Sequence, residues 1–504
     1  LHLQAPNNIE ASRLSFTTIL RRKGRILDIL TSSIQIMRQN DDPESQGLLN
    51  KYIKTRTQHA NLIFKKPEDI TSPDIHRQKL AEIEEKAKQI EDEISRRSST
   101  FDNESQPINL EAFQKLIPVD AAFVELVRYL PFNPQNELFG SPRYAAYVLY
   151  QNGEPQAIDL GEAETIDRAI EKLRTYLGNP KAPIKQLKDS ARELDKMVMQ
   201  PVRQLLEDTK TILLSPDAAL NLIPFEALVD ENYQYLVKNY QITYLTSGRD
   251  LLRLQNQSSS EQPPLIIADP LYSQASDEVS INRSVEDISR IFVQKTFGRL
   301  RGTAEEAEAI QKLIGLSDNQ IKTRQQATEN ALKQVKNPDF LHIATHGFFL
   351  KPSSENPTNF DNPLFRSGLV FAGVEKSQSG GDDGVFTAYE GSLLNLVGTQ
   401  LVVLSACDTG IGDISAGEGI YGLRRAFVIA GSESQLISLW KVEDTATKDL
   451  MIAYYQGLKA RKGRREALSQ IQRDWLEGKN GKKYQHPYYW ASFIFSGDST
   501  PMEF

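Results

Sequence analysis

Hydrophobic and polar positions along this chain follow two different periods, and the change of period divides it. Up to about residue 105 the apolar residues recur every three or four positions, as on one face of a helix. Leu14, Ile19, Leu20, Ile26, Leu27, Leu30, Ile34 and Met37 mark a first helical stretch, which Asp41, Asp42 and Pro43 interrupt. Leu48, Leu49, Tyr52, Ile53, Leu62 and Ile63 mark a second. Leu80, Ile83, Ala87, Ile90 and Ile94 form a narrow seam, too short for a free coiled coil, which predicts a helical arm packed on a neighbour. The alternative use of such a seam is to dock a helix of a partner.

From about residue 107 short apolar runs take over. Residues 121–129, 143–150 and 211–217 predict strands, and 166–177 and 184–206 predict helices. The polar, Pro-terminated stretch 255–264 predicts a linker. Beyond it, 265–272 opens a second alternation of strand and helix, with 303–314 a helix capped by Thr303 and Glu306 completing a capping box. The runs at 339–345 and 400–410, the second read as a strand that ends in Cys407, are apolar without alternation, which fits strands covered on both faces. A long loop region at 351–384, a helix at 417–430, a strand at 435–440 and a closing strand within 486–497 complete the reading. The fold class is therefore α/β, a sheet flanked by helices, in three expected parts: a helical region 1–105, an α/β unit 106–258 and a second α/β unit 259–504.

Composition narrows the possibilities. A chain of 504 residues exceeds what one core organises, and its 39% hydrophobic and 25% charged residues are those of a globular protein. No apolar run approaches the ~20 residues that span a membrane, so no membrane association is expected. A formal net charge of −7 argues against nucleic acid as the main partner, and the basic group Arg21, Arg22, Lys23 and Arg25 is explained about as well by a solvated helix face as by an anion site. A single cysteine excludes an intrachain disulfide and a cysteine-rich zinc site. With no signal-peptide pattern at its start, the chain is expected in a reducing cytoplasm. It opens at Leu1 rather than Met, and we expect sequence upstream.

The candidate chemistry sits at the ends of two of the doubly covered strands. LHIATHGFF carries His346 and then Gly347, and QLVVLSACDTG carries Cys407, followed by Asp408, Thr409 and Gly410. In open α/β sheets the ligand crevice lies beyond the carboxyl ends of the strands. Alone, a cysteine reads as a small buried hydrophobe and a histidine as a structural residue; together, at two strand ends, they predict a His–Cys dyad. A free thiol with a pKa of about 8.5 is mostly protonated at neutral pH, and an imidazole can take its proton and return it to a leaving amine. The backbone N–H groups of Gly347 and Cys407 are the expected oxyanion donors. His342 and His486 are the competing histidines, and both are expected to be buried or bonded to backbone.

Five ordered strings resemble the CHAT protease family: HIATHGFF, LVVLSACDTG, AGEGIYGLRRAFVIAG, SLWKVEDTATKDLM and HPYYWASFIFSG. That family belongs to the caspase-like clan with separases, gingipains and clostripain. The resemblance implies a cysteine endopeptidase acting on protein substrates without metal or other cofactor, beside an inactive caspase-like half at 106–258. It also implies tetratricopeptide repeats upstream, although no 34-residue repeat is visible here. By similarity to separases, Asp444, with Glu443 beside it, is the acid of a pocket for a basic residue, Arg in preference to Lys, and Asp408 is a rival acidic wall. Asp444 could instead cap the helix that follows it. The chain departs from clostripain in having Ala406 before the cysteine, and from caspases in lacking Gln-Ala-Cys-x-Gly. Aspartate specificity would need an arginine pocket, for which Arg366 and Arg424 are candidates. The helical region is the expected site of contact with a regulatory partner. The rivals are a latent or non-catalytic signalling scaffold and a different thiol acyl-transfer activity.

Overall fold

The computed structural model describes residues 2–5, 7–25, 33–38, 42–64, 72–101, 109–133, 135, 137–255, 258–260, 262–272, 297–349, 363–405, 413–415, 419–440 and 442–502. The apolar runs without alternation lie side by side in one sheet. Its strands are β1 (Ala121–Tyr129), β2 (Arg143–Leu149), β3 (Gln156–Glu162), β4 (Thr211–Ser215), β5 (Gln241–Tyr244), β6 (Leu265–Pro270), β7 (Ile321–Arg324), β8 (Phe340–Ala344), β9 (Leu401–Leu404), β10 (Ser434–Ser438) and β11 (Phe493–Gly497). Their order across the sheet is β3-β2-β1-β4-β5-β11-β10-β9-β8-β6-β7. Strands β1, β4, β5 and β11 run parallel to one another, and β10, β9, β8, β6 and β7 likewise. The two sets meet antiparallel, with Leu436 opposite Phe495. The carboxyl ends of β1, β4 and β5 therefore open on one edge of the sheet and those of β8, β9 and β10 on the other.

Helices cover both faces. They are α1 (Ile9–Arg22), α2 (Pro43–Ile63), α3 (Pro73–Phe101), α4 (Ala163–Leu177), α5 (Ile184–Met197), α6 (Arg301–Ile314), α7 (Leu423–Ala430), α8 (Asp444–Lys459) and α9 (Arg464–Leu476), with shorter turns between. The period of two along each strand sorts its side chains between the layers. On β8, Phe340 and Ala344 join a core with residues of α4, α5, α6, α8 and α9, whereas Leu341 and Ile343 join a core with residues of α2, α3 and α7. The seam of α3 is used within the chain: Leu80, Ile90 and Ile94 are buried in that second core, and Arg56 on α2 reaches Glu91 on α3 at 2.6 Å.

Several elements differ from the sequence reading. The helix expected over 184–206 stops at Met197, because Pro201 has no N–H to give to the carbonyl four residues back. The helix expected from Thr303 begins at Arg301, and its capping box does not form. Thr303 Oγ1 instead donates to Leu300 O at 2.7 Å and accepts from Asp269 N at 3.1 Å. Within the stretch expected as a helix from 417, Gly419–Tyr421 pairs as a strand with Asp413–Ser415, and α7 starts at Leu423. The loop region is built in part: Ser367–Val370 pairs with His346–Phe349 on one side and Val385–Thr387 on the other. The expected closing strand, β11, lies in the middle of the sheet.

The carboxyl edge of the first half is filled by a buried lysine. Lys23, just after α1, passes its side chain inward to the Glu125 carboxylate. Its Nζ is also 2.9 Å from Leu126 O, Ser215 Oγ and Pro216 O. Glu125 is fully buried and its second oxygen accepts from Gly248 N at 3.3 Å. Removing one partner of such a pair leaves the other charge buried alone. Lys23→Met should therefore lower stability by about 3–5 kcal/mol, read as a shift of the urea unfolding midpoint. Adding Glu125→Leu should recover much of the loss; a double variant as weak as the single would count against the pairing.

Candidate active site

His346 stands at the carboxyl end of β8, where the chain leaves the large sheet after Ala344 and enters the three-stranded one. Its register partner there is Val370, and that of Gly347 is Leu369. Thr345 Oγ1 donates to Val370 O and lies 2.9 Å from the Tyr272 hydroxyl, which is in turn 3.3 Å from His346 N. The imidazole packs against the rings of Tyr272 and Phe297, with centroids 5.1 and 5.6 Å away. Its Nε2 is 2.8 Å from Gly298 O. A carbonyl only accepts, so Nε2 carries the proton and Nδ1 is the basic nitrogen of the neutral ring. Gly298 is itself fixed through its neighbour: Arg299 grips the buried Asp269 at the end of β6 with two bonds of 3.0 and 2.9 Å. The Gly298 carbonyl thus fixes the tautomer and orientation of the His346 ring. Nothing in the residue string marks a backbone carbonyl for that role.

Cys407 and Asp408, and with them the Cys407 N–H, lie outside the described residues. The last described residue before them, Ser405, continues β9 at the same edge as Thr345. Between the ends of β8, β9 and β10 is a cavity of about 30 Å³, lined by residues that include Glu306, Thr345, Ser405, Ser438, Trp440 and Asp444. No Lys, Arg or His is among its described lining residues. Asp444 is the first residue of α8 and faces this cavity; Glu443 precedes it at the N-cap without a side-chain cap bond, and its carboxylate pairs with Lys483 at 2.7 Å. The structure thus brings Asp444 to the edge that carries His346 and places Glu443 on Lys483. Arg424 is buried against Asn221 at 3.2 Å, and neither it nor Arg366 lines the cavity.

The competing histidines are engaged elsewhere. His486 caps the short helix Pro487–Trp490, accepting from Tyr488 N at 3.1 Å and donating to Ala182 O at 3.0 Å. His342, fully buried on β8, lies 3.0 Å from the Tyr455 hydroxyl and 2.9 Å from Glu306. No group of metal-ligating side chains occurs among the described residues, and none of their helices is long and apolar enough to cross a membrane.

The sheet edge thus combines a histidine at a strand end with a small cavity lined by two carboxylates. Comparison with known proteins defines the family. The CHAT domain matches residues 188–498, more than half of the chain, and the protein belongs to the CHAT-domain family. Tetratricopeptide repeat protein 28 of Homo sapiens is 24% identical over 318 residues, covering 58% of this chain and 12% of that protein. Its Mus musculus counterpart is 25% identical over 317 residues with the same coverage. The chain thus aligns with only about an eighth of these relatives' length. Among solved structures, separase in the Saccharomyces cerevisiae separase–securin complex superposes with a TM-score of 0.39 and 10% identity, covering 76% of this chain and 30% of that one. The complex of Porphyromonas gingivalis RgpB pro- and mature domains gives a TM-score of 0.35 and 11% identity, covering 67% and 76%.

The small sheet that carries His346 leans on a cluster of acids. Lys333 reaches Glu329, Asp382 and Glu390 at 2.6, 2.9 and 2.8 Å, and Asp383 stands beside them. Glu329 Oε2 accepts from Gly384 N at 2.7 Å, where a Cβ on the glycine would meet Val374 Cα at 2.7 Å. Burial, and then the Glu390 carboxylate, push Asp383 up to about 7; the same causes hold Glu329 well above the usual carboxylate range. The folded chain thus keeps protons that unfolded carboxylates release near pH 4. The contribution of these groups to stability is complete below about pH 4 and is lost as pH rises through about 7. Urea midpoints measured from pH 5 to pH 8 should fall, and Asp383→Asn should flatten that slope. An unchanged slope would assign the pH dependence to other groups.

Proposed function

We propose that this CHAT-domain protein is a cysteine endopeptidase that cleaves protein substrates after a basic residue, Arg in preference to Lys. In this reading the Cys407 thiolate attacks the scissile carbonyl after His346 Nδ1 has taken its proton. The C–N bond of the tetrahedral intermediate then breaks as His346 returns the proton to the leaving amine, and water releases the acyl-enzyme. Gly347 and Cys407 N–H groups hold the oxyanion. The observation that carries the reading is the bond from His346 Nε2–H to Gly298 O, which presents a base at the edge of the sheet where β9 delivers the chain toward Cys407. Asp444 in the neighbouring cavity supports the choice of a basic residue. The half at 106–258 is non-catalytic in this reading, supported by the Lys23 side chain that fills its carboxyl edge.

The N-terminal helices are where we place control by a partner or by upstream repeats. They touch the small sheet of His346 directly, where Phe64 stacks edge-on against Phe348 with centroids 6.1 Å apart, and they touch the short helix Ala388–Gly391 that follows it, where the Tyr52 hydroxyl lies 3.2 Å from that of Tyr389. The single cysteine as nucleophile fits a reducing, cytoplasmic setting.

Fluorogenic peptides that differ only in Arg, Lys, Asp or Ala before the scissile bond test the reading. Arg and then Lys peptides should be cleaved, with loss of activity in Cys407→Ala and a drop of roughly 10²–10⁴-fold in His346→Ala. Asp444→Asn should reduce cleavage after Arg by at least about tenfold. Cleavage after Asp would remove the pocket assignment but keep the nucleophile. Silence in every arm, including with the upstream part of the protein supplied, would leave a scaffold.

A further inference from the structure

Glu306 has no task in the chemistry above, yet the fold holds it with unusual care. It lies on the second turn of α6 and is 1% exposed. One carboxylate oxygen, Oε2, accepts from Ser405 Oγ at 3.2 Å, and Oε1 is 2.9 Å from His342 Nε2. That approach is not aligned as a hydrogen bond, and on its other side the His342 ring meets the Tyr455 hydroxyl through Nδ1 at 3.0 Å. Burial holds Tyr455 well above the usual phenol range, which keeps it a donor. Glu306 is thereby tied to α8 and to both strands that lead to the proposed dyad.

A carboxylate serving only as a tie would be sealed among its partners. Glu306 also lines the cavity at the sheet edge, opposite the first turn of α8 where Asp444 enters it. α6 and the start of α8 approach closely beside the cavity. A Cβ added at Gly302, one turn before Glu306, would lie 2.6 Å from Asp444 Cβ and 3.1 Å from its carbonyl. The lining also carries Ser405 and Ser438, Thr345 with its hydroxyl on Val370 O and Tyr272, and the indole of Trp440, whose N–H is given to Tyr488 O at 3.0 Å.

We infer that Glu306 is a second specificity-determining carboxylate, which together with Asp444 holds the cationic head of the substrate residue before the scissile bond. This rests on the basic-residue reading of the same cavity. A guanidinium has five N–H donors in a planar fork, and two carboxylates flanked by hydroxyls can accept from several at once. An ammonium has three donors around a point and satisfies fewer of these acceptors, so the pair favours Arg over Lys. A neutral side chain of the same shape leaves buried carboxylates without a counter-charge and is rejected. The present volume of about 30 Å³ is that of a water site, so the side chain enters by displacing water and parting the partly exposed mouth at Asp444 and Thr447.

Covalent probes test this without requiring turnover. Peptidyl acyloxymethyl ketones ending in Arg, Lys or citrulline, the neutral isostere of arginine, alkylate a thiolate as the acyloxy group departs as a carboxylate. The chain has one cysteine, so addition is read as a single mass increment. Iodoacetamide, which needs no pocket, reports the reactivity of the thiol itself. The native protein should react with the Arg probe roughly 30-fold or more faster than with the citrulline probe. Glu306→Gln should cut that ratio by about tenfold while the iodoacetamide rate stays within about twofold. Glu306→Asp, which keeps the charge but withdraws it by one methylene, should give an intermediate ratio; it carries the test if melting shows the Gln variant unfolded. An unchanged ratio in the folded Glu306 variants, with the ratio lost in Asp444→Asn, would reduce Glu306 to a structural tie and overturn the inference alone. A native protein that iodoacetamide labels at Cys407 but that treats the Arg and citrulline probes alike would overturn the basic-residue reading, and the inference with it.

Discussion

The antiparallel contact between β10 and β11 is the constraint on which the rest depends. Every other neighbour in the centre of the sheet is parallel, and a parallel strand needs a crossover that covers one face. One reversal lets two such units share a single sheet while facing opposite ways. Adjacent arginines at the start of α9 secure the join. Arg464 turns to the second half, to Gln400 O at 2.5 Å and Ser434 Oγ at 3.2 Å, and also holds Asp498 just past β11 at 2.6 Å; Arg465 turns to the first half, to Glu226 at 2.8 Å and to Ile242 O. Both are buried, and unpaired they would carry a large desolvation penalty. Each is satisfied by the half it faces, so the seam is held by charge as well as by the backbone ladder.

Because the two halves face opposite ways, the same edge of a parallel sheet appears twice in different states. Where strands end, carbonyls and side chains converge on a crevice that something must fill. In the first half Lys23 fills it, drawing five oxygens to one ammonium. In the second half the edge carries His346, the Gly298 carbonyl that sets its tautomer and a cavity with acids on two sides. The difference is local chemistry on a common scaffold.

What was legible in the sequence follows the range of the interactions. Strands covered on both faces read as apolar runs, so β1, β4, β8 and β9 were found near their true bounds. His346 and Asp444 were legible as strand-end and helix-start residues, and His342 and His486 as buried structural ones. Strand order was not, because β11 pairs with strands 250 residues away at Tyr244 and some 60 residues away at Leu436, and no local period encodes that. Thr303 was misread as a cap because its hydroxyl serves Asp269 N, a partner distant in sequence. Glu306 was read as half of the same local motif, although its partners are Ser405 and His342. The role of Gly298 rests on a backbone atom that every residue type possesses.

The central position of β11 also has a meaning in time. A chain leaves the ribosome from its N-terminus, and residues 493–497 emerge after every other strand of the sheet. Until then β5 and β10 each present an unpaired edge, the kind of surface that recruits strands from other molecules. Two half-sheets must wait, separately folded or held apart, for one five-residue segment to enter between them and pair on both sides. Closing the sheet therefore requires long-range pairing, and a chain in which β11 is unpaired exposes two strand edges of the kind that recruit other molecules.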